Sequence, residues 1–513
     1  MPPPPFSSPR DPPPPSPLVG SPPSPLVGSP PSPLVGSPPS PQAGSPPSPL
    51  TGSPPSPQAG SPPSPQTGDR VGPAEVSEPV EVLVEVTDTV SLPYTTGIQR
   101  VTRELLARLP RKGSPAFRPV RWTSACDGYR DLTGEEARVL ADPPERLPRT
   151  TRLAARLPDP VAVFARRALA STIARRARNA IRNARDQRIE RDRRHLCLAS
   201  SRPERSTVLL DLEAAWNDPV PRTELLPREH ARGVRSAALI ADVLPVLHPE
   251  WFDPQLITDF NAFLDGHLRY SELFLCISER TESDLIAVAA ARGVNNLHTC
   301  VIPLGADLAP GQFATDDRNG VRTDARPERF DPLPERFLLL VGTLEPRKNQ
   351  TLALDLLDAT AASHPDVALV LVGKRGWHVE DLIRRIERHP ALGRRLFWFE
   401  EVDDAALWWL YRQATICLTP AIYEGLGVCV MEALHAGTPV VCSTGGALPE
   451  AGGAAAEYID PHDTDAWVHL VRSWLDDPVQ LEQARRRAVA WQAPSWDDAA
   501  AAVRTAIAEV FGR

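Results

Sequence analysis

Two successive doubly wound α/β domains facing across a cleft, behind a proline-rich segment with no core of its own, are what this sequence predicts. From residue 80 onward short apolar runs alternate with amphipathic stretches, the pattern of parallel strands covered by helices on both faces. A polar, breaker-rich interval at 311–334 cuts that series in two. Glycines and cations follow several of the apolar runs, at the strand ends where such sheets bind ligands.

The chain begins with a tail and linker, residues 1–79. Residues 21–68 are six octads of the type SPPSPLVG, and the first 68 residues hold 28 of the chain's 60 prolines. With so few large apolar residues this segment cannot bury enough surface to offset its chain entropy, so it reads as disordered with polyproline II character. A spacer or a drifting repeat expansion is the reading taken; a docking or phosphorylation tail is the other.

The first domain spans 80–310. EVLVEVTDTV at 81–90 alternates as a strand does, SLPYTTG makes a loop, and GIQRVTRELLARLP sets Ile98, Val101, Leu105 and Leu109 on one helical stripe. Further units are STVLLDLEAAW (206–216), RSAALIADVLPVL (235–247), SELFLCIS (271–278) with the helix ERTESDLIAVAAARG, and TCVIPLGADL (299–308). Within this domain, 160–194 carries eleven arginines against three acids, with small or apolar residues at Ala165, Leu169, Ile173, Ala177 and Ile181. It reads as a solvated helical insertion, or else as a basic amphipathic helix making peripheral contact with an anionic membrane.

The second domain spans 335–490: FLLLVGTLE, a helix from Asn349, VALVLVGKRG, a helix from Glu380, RLFWFEEV, a helix from Asp404, TICLTP, a loop and helix at 422–437, TPVVCST and AAEYIDP. Residues 491–513 form a last helix that packs back on the first domain.

Composition excludes several classes. Seven scattered cysteines without a CxxC pair argue against a disulfide framework and a zinc site and for a reducing cytosol, hence a cytoplasmic protein, peripheral at the inner membrane face if 160–194 touches lipid. A net charge of −8 gives no sign of a nucleic-acid partner. No stretch approaches the ~18 apolar residues of a membrane span, and the N-terminus lacks an export pattern.

Chemistry concentrates in the second domain. Lysine occurs only at positions 112, 348 and 374, so arginine would serve wherever a solvated cation is all that is needed. In VGTLEPRKN a strand ends at Gly342, and Arg347 and Lys348 occupy the turn before a helix, placed to hold phosphate. Lys374 stands at the next strand end, in VGKRGW. In YEGLGVCVMEALHAG, Gly425 and Gly427 let backbone N–H groups approach a ligand, and the helix N-terminus adds its partial positive charge. Glu424 ahead of the loop would reach sugar hydroxyls, and Glu432 on the helix would accept from a ribose diol.

VGTLEPRKN, VGKRGW, YEGLGVCVMEALHAGTPVVCS and ALPEAGGAA…IDP resemble, in order and spacing, the donor domain of the retaining, sugar-nucleotide-dependent glycosyltransferases of family 4. EVTDTVSLPYTTGIQRVTREL, ADVLPVLHPEWF and LCISERTESDL are similar to its mannosyltransferase-B-like subgroup, associated with polysaccharide and O-antigen assembly. The resemblance covers about 80–500 and implies the GT-B fold, two Rossmann-like domains with acceptor contacts in the first. It implies a metal-independent hexosyltransferase with no cofactor, a nucleotide-diphosphate sugar as donor, and a glycan or lipid-linked acceptor. Arg347 and Lys348 would neutralise the donor diphosphate, Glu424 would contact the transferred sugar, and Glu432 the ribose. Gly97, Gly342, Thr343, Lys374, Gly427 and Val428 would line the donor site. Many relatives carry His-Asp where this chain has Ala241-Asp242, leaving Asp242 as the catalytic candidate there, and Gly-Arg where it has Gly342-Thr343.

Three rivals stand beside this reading. Asp463-Thr464-Asp465 has the form of a metal-binding Asp-x-Asp, but its place before a helix suits a cap. An epimerase of the same fold would share the donor half. A non-catalytic nucleotide-sugar-binding or scaffold protein, using the proline tail for interactions, would account for Ala241 and Thr343.

Overall fold

The computed structural model describes residues 80–91, 97–142, 197–198, 206–306 and 326–512. The proline-rich tail, the arginine-rich stretch 160–194 and most of the linker read from the sequence lie outside these residues.

Among the described residues the chain builds two sheets, one in each half. The first orders its strands β3-β2-β1-β4-β5-β6-β7. These are β1 Val80–Glu85, β2 Ala116–Thr123, β3 Gly128–Asp131, β4 Ser206–Asp211, β5 Val234–Ile240, β6 Ser271–Cys276 and β7 Thr299–Val301. Only the edge pair β2–β3 is antiparallel. The second sheet is parallel throughout and ordered β10-β9-β8-β11-β12-β13. Its strands are β8 Arg336–Val341, β9 Val367–Val372, β10 Leu396–Phe399, β11 Ile416–Thr419, β12 Val440–Ser443 and β13 Glu457–Ile459. All six residues of β9 are buried, as a strand covered by helices on both faces must be. In each sheet the chain order reverses once, between β1 and β4 and between β8 and β11. Side chains at the C-terminal ends of those strand pairs open into a crevice. These are two Rossmann-like halves, as the sequence predicts.

Two sequence expectations need correction. EVLVEVTDTV is not strand to its end: β1 stops at Glu85 and Thr87–Ser91 is helical. Buried carboxylates supply the reason, because they accept the N–H groups that a strand would need to pair with a neighbour. Glu85 Oε1 accepts from Thr87 N at 2.8 Å, and Glu213 accepts from Asp88 N at 2.6 Å and Thr89 N at 2.8 Å. The second correction concerns cysteine. Cys126 and Cys197 are joined, their Cα atoms 5.7 Å apart. The chain brings residue 197 back against the β3 edge through a bridge pairing with Arg130, a return across 71 positions that spacing could not reveal.

Beside Glu213 lies a cluster of buried charge. Arg222 holds Asp211 at 2.6 Å and Asp218 at 2.8 Å, and His267 Nε2 stands 2.9 Å from Asp211. Burial, reinforced by neighbouring carboxylates, pushes Glu85 and Glu213 above the ordinary carboxyl range. Burial acts the same way on Asp211, but Arg222 and His267 outweigh it and keep that carboxyl ionised.

The last helix, Trp496–Phe511, packs against the first half. Arg235 donates to the Val510 carbonyl at 3.1 Å and lies 4.4 Å over the Phe511 ring, and Arg108 pairs with Asp497 at 3.1 Å. A Cβ on Gly305 would stand 2.5 Å from the Trp496 ring, so glycine lets this helix seat. Among the described residues no helix is long and apolar enough to cross a membrane.

Candidate functional site

The crevice of the second sheet is built from two strand-end turns in backbone contact. Gly342 and Gly373 follow β8 and β9 with φ of 149° and 151°, and a Cβ on Gly373 would stand 2.0 Å from the Gly342 carbonyl oxygen. Only glycine permits that approach. Thr343 continues the first turn, its carbonyl accepting from Gln350 Nε2 at 3.0 Å. Lys374 sits in the second, where its own carbonyl accepts from Leu344 N at 2.9 Å. A short 3₁₀ turn, Pro346–Lys348, follows, and Asn349 in the left-handed region (φ 54°) swings the chain into the helix Gln350–Thr360. The stem of Lys348 lies over Gly342, its carbons 3.6 Å from where a Cβ would be.

The 422–428 loop comes down on that turn. Ile422 N donates to the Arg347 carbonyl at 2.7 Å. Arg347 reaches the Tyr423 carbonyl at 3.2 Å and Glu424 Oε2 at 2.7 Å, while its Nε is 3.0 Å from Glu345. Lys348 Nζ donates to Glu424 Oε1. Glu424 is 6 % exposed and therefore meets a desolvation cost on ionising. Arg347 and Lys348 exceed that cost and hold its carboxyl down at about 2.

Beyond the loop, Gly427 takes φ 95° and opens the helix Val428–His435, its missing Cβ making room for Leu448. Val428 is the first helical residue, so its N–H belongs to the unpaired end of the helix. Glu432, on the next turn, is buried and doubly held: Oε1 accepts from Arg100 at 2.7 Å and Oε2 from the Tyr411 hydroxyl at 2.9 Å. Burial raises its pKa against the pull of Arg100.

Across the crevice, the first half supplies the facing wall. A Cβ on Gly425 would lie 2.4 Å from the Ala241 carbonyl oxygen and 3.0 Å from Asp242 Cβ. Asp242, half-buried, accepts from Leu244 N at 3.0 Å. Burial raises its pKa, opposed by Arg347. The Gly425 carbonyl accepts from Ser278 Oγ at 2.6 Å and is 3.1 Å from Thr281 Oγ1. Ser278 also caps the helix Glu279–Ala291, whose first two N–H groups donate to Glu450 of the second half at 2.8 Å each.

Arg347, Lys348, Gly342, Glu424 and Asp242 therefore meet at one point, with Gly427, Val428 and Glu432 running on from it. Lys374 and Thr343 stand along the neighbouring turn. Gly97 starts the helix Gly97–Arg108 and meets no other described residue within 4 Å of where its Cβ would be. Arg100, Tyr411, Ser278 and Glu450 were missed in the sequence. Arg100 follows Gly97 in TTGIQR, but a partner 332 residues away leaves no local signal. Asp463 accepts from Ala466 N at 2.9 Å, the cap geometry its position suggested.

Residues 321–491 match the family model described as Glycosyl transferases group 1. The serotype-specific mannosyltransferase WbdA of Escherichia coli is 26% identical over 271 residues, 51% of this chain and 32% of that protein. The chain thus spans about a third of WbdA's length. The O-antigen chain mannosyltransferase B of Escherichia coli is 29% identical over 273 residues, 52% of this chain and 68% of its own. Among solved structures, sucrose-phosphate synthase of Thermosynechococcus elongatus superposes with a TM-score of 0.49 at 18% identity, covering 84% of this chain and 99% of that one. Residues 321–491 are thus similar to group 1 glycosyl transferases, and the proteins this chain resembles include mannosyltransferases.

Proposed function

We propose that this protein is a retaining glycosyltransferase that moves a hexose, mannose in the first instance, from a nucleotide-diphosphate sugar to a glycan or lipid-linked acceptor in polysaccharide assembly. The observation that carries the reading is the clamp of Arg347 and Lys348 on Glu424, beside Asp242 and at the point where the chain order of the second sheet reverses. The two cations supply the positive charge a departing diphosphate needs, in a site buried enough to make that charge count. Glu424, ionised at all ordinary pH, accepts from hydroxyls of the transferred sugar. Asp242 faces it from the first half and orients the reacting groups. The leaving phosphate oxygen takes the acceptor's proton on the face it departs from, so the new bond forms there and configuration is retained. The reaction needs no metal in this scheme, since Arg347 and Lys348 take its place; Gly97, Gly342, Thr343, Lys374, Gly427 and Val428 line the donor, and Glu432 takes the ribose. We place the enzyme in the cytoplasm, peripheral at the membrane where its acceptor is lipid-linked; the Cys126–Cys197 bridge is the feature a reducing compartment would open.

Nucleotide release tests this. The full chain is incubated with a panel of nucleotide sugars that includes GDP-mannose, alongside Lys348→Ala and Glu424→Ala. Release from one donor, reduced roughly 100-fold or more in both variants, is the expected result. Binding without release, even with candidate acceptors present, would instead identify a non-catalytic nucleotide-sugar-binding protein. No binding would remove the site assignment.

A further inference from the structure

The two carboxylates of the second half are neutralised from different directions. Glu424 is held by Arg347 and Lys348, both from its own half. Glu432 is held by Arg100, which comes from the first turn of Gly97–Arg108 on the opposite wall. The Arg100 side chain keeps 22% of its surface exposed while Glu432 keeps 8%, so the arginine can leave toward the crevice and the carboxylate cannot follow. A buried carboxylate stripped of its cation is costly, which makes the exchange conditional on something replacing Arg100 at Glu432. Two vicinal hydroxyls are a suitable replacement, because each donates a hydrogen bond to a carboxylate oxygen. A nucleotide bound in the manner proposed above offers that diol at Glu432 and, one helical turn back, a diphosphate beside Gly427.

We propose that Arg100 is a donor-binding residue lent across the crevice. It neutralises Glu432 until the ribose hydroxyls take that carboxylate, and its guanidinium then pairs with the nucleotide's diphosphate. The planar fork of arginine suits two phosphate oxygens as it suits one carboxylate, so the residue changes partner without losing its charge-assisted bonds. Donor binding then draws the two walls together through the phosphates, where Arg347 and Lys348 are already engaged by Glu424.

This inference rests on the donor site proposed above, and the test separates the two. Dissociation constants for GDP, UDP and ADP, and for guanosine, uridine and adenosine, are measured by ligand-observed NMR on the full-length wild type and on Arg100→Ala and Arg100→Lys. Far-ultraviolet circular dichroism checks that each variant is folded. For the nucleotide the wild type prefers, Arg100→Ala is expected to weaken the diphosphate roughly 10-fold or more, and Arg100→Lys by less. The matching nucleoside is expected to bind as well as before or more tightly, since Glu432 has lost its competitor. Equal weakening of diphosphate and nucleoside would make Arg100 a mere support for Glu432 and overturn the proposal, as would no change in either. If Arg100→Ala fails to fold, Arg100→Lys carries the same comparison. A wild type that binds none of the six would sink the donor site first and Arg100 with it.

Discussion

Asp242 and Glu424 face each other with opposite electrostatic fates. Burial costs both, but Glu424 has two cations in contact and is held at about 2, while Asp242 has only their more distant pull and titrates above its ordinary value. If ionised Asp242 orients the reacting groups, activity falls as pH drops through that raised pKa, and Glu424 adds nothing to the decline. The pH profile of kcat/KM for nucleotide release should therefore lose its acidic limb in Asp242→Asn, leaving a low, flat residual rate. An unchanged limb in that variant would assign it to another group. Gly425 sets the distance between the two, since any Cβ there would collide with the Ala241 carbonyl.

At the scale of elements, the helix Glu279–Ala291 is where the halves grip each other. Its N-terminus carries unpaired N–H groups and partial positive charge, and Glu450 of the opposite half satisfies two of those donors. Glu450→Ala is expected to cost about 0.5–1 kcal/mol, the lower part of the range for a lost cap because the contact is solvent-exposed. A thermal midpoint lower by ~0.5–1 °C would report it; an unchanged midpoint would show the contact to be replaceable by water. Contacts of this kind mark the limit of what the sequence disclosed. The second half was legible because β8, β9, β11 and β12 are continuous apolar runs whose ends carry glycine and cations. Arg347, Lys348 and Glu424 could be picked out from those ends, and the structure joins them. The first half was read less well. TDTV looked like more strand because its alternation is genuine, and the buried carboxylates of Glu85 and of Glu213, the latter 124 positions on from Thr89, turn it into a helix. Arg100 with Glu432 and Cys126 with Cys197 are likewise pairs whose reason lies in the folded chain.

For the molecule as a whole, the buried charge at the ends of β1 and β4 governs stability against pH. A carboxyl whose pKa is higher folded than unfolded supports the fold below its ordinary 4.5 and ceases to as pH rises through the folded value, which for Glu213 is about 8. Asp218, pushed up to about 6, and Glu85 act in the same sense. Glu424, held low, acts the other way and loses its contribution only in strong acid. The melting temperature is thus expected to decline between about pH 5 and 8. Glu85→Gln, which removes one of these titrations, should gain on the wild type at pH 8 relative to pH 5. The same difference between the two proteins at both pH values would count against this account.

The seat of the last helix has a consequence for how the protein is made. Val503, Ile507 and Phe511 are at most 1% exposed and complete a core whose first strand begins at Val80. Domains that emerge early from the ribosome ordinarily fold early. Here the first half stays incomplete until residues 496–511 have been made, so the second half, whose strands all precede them, is free to finish sooner. A chain interrupted between residues 490 and 496 would hold a finished second half tethered to an unsealed first.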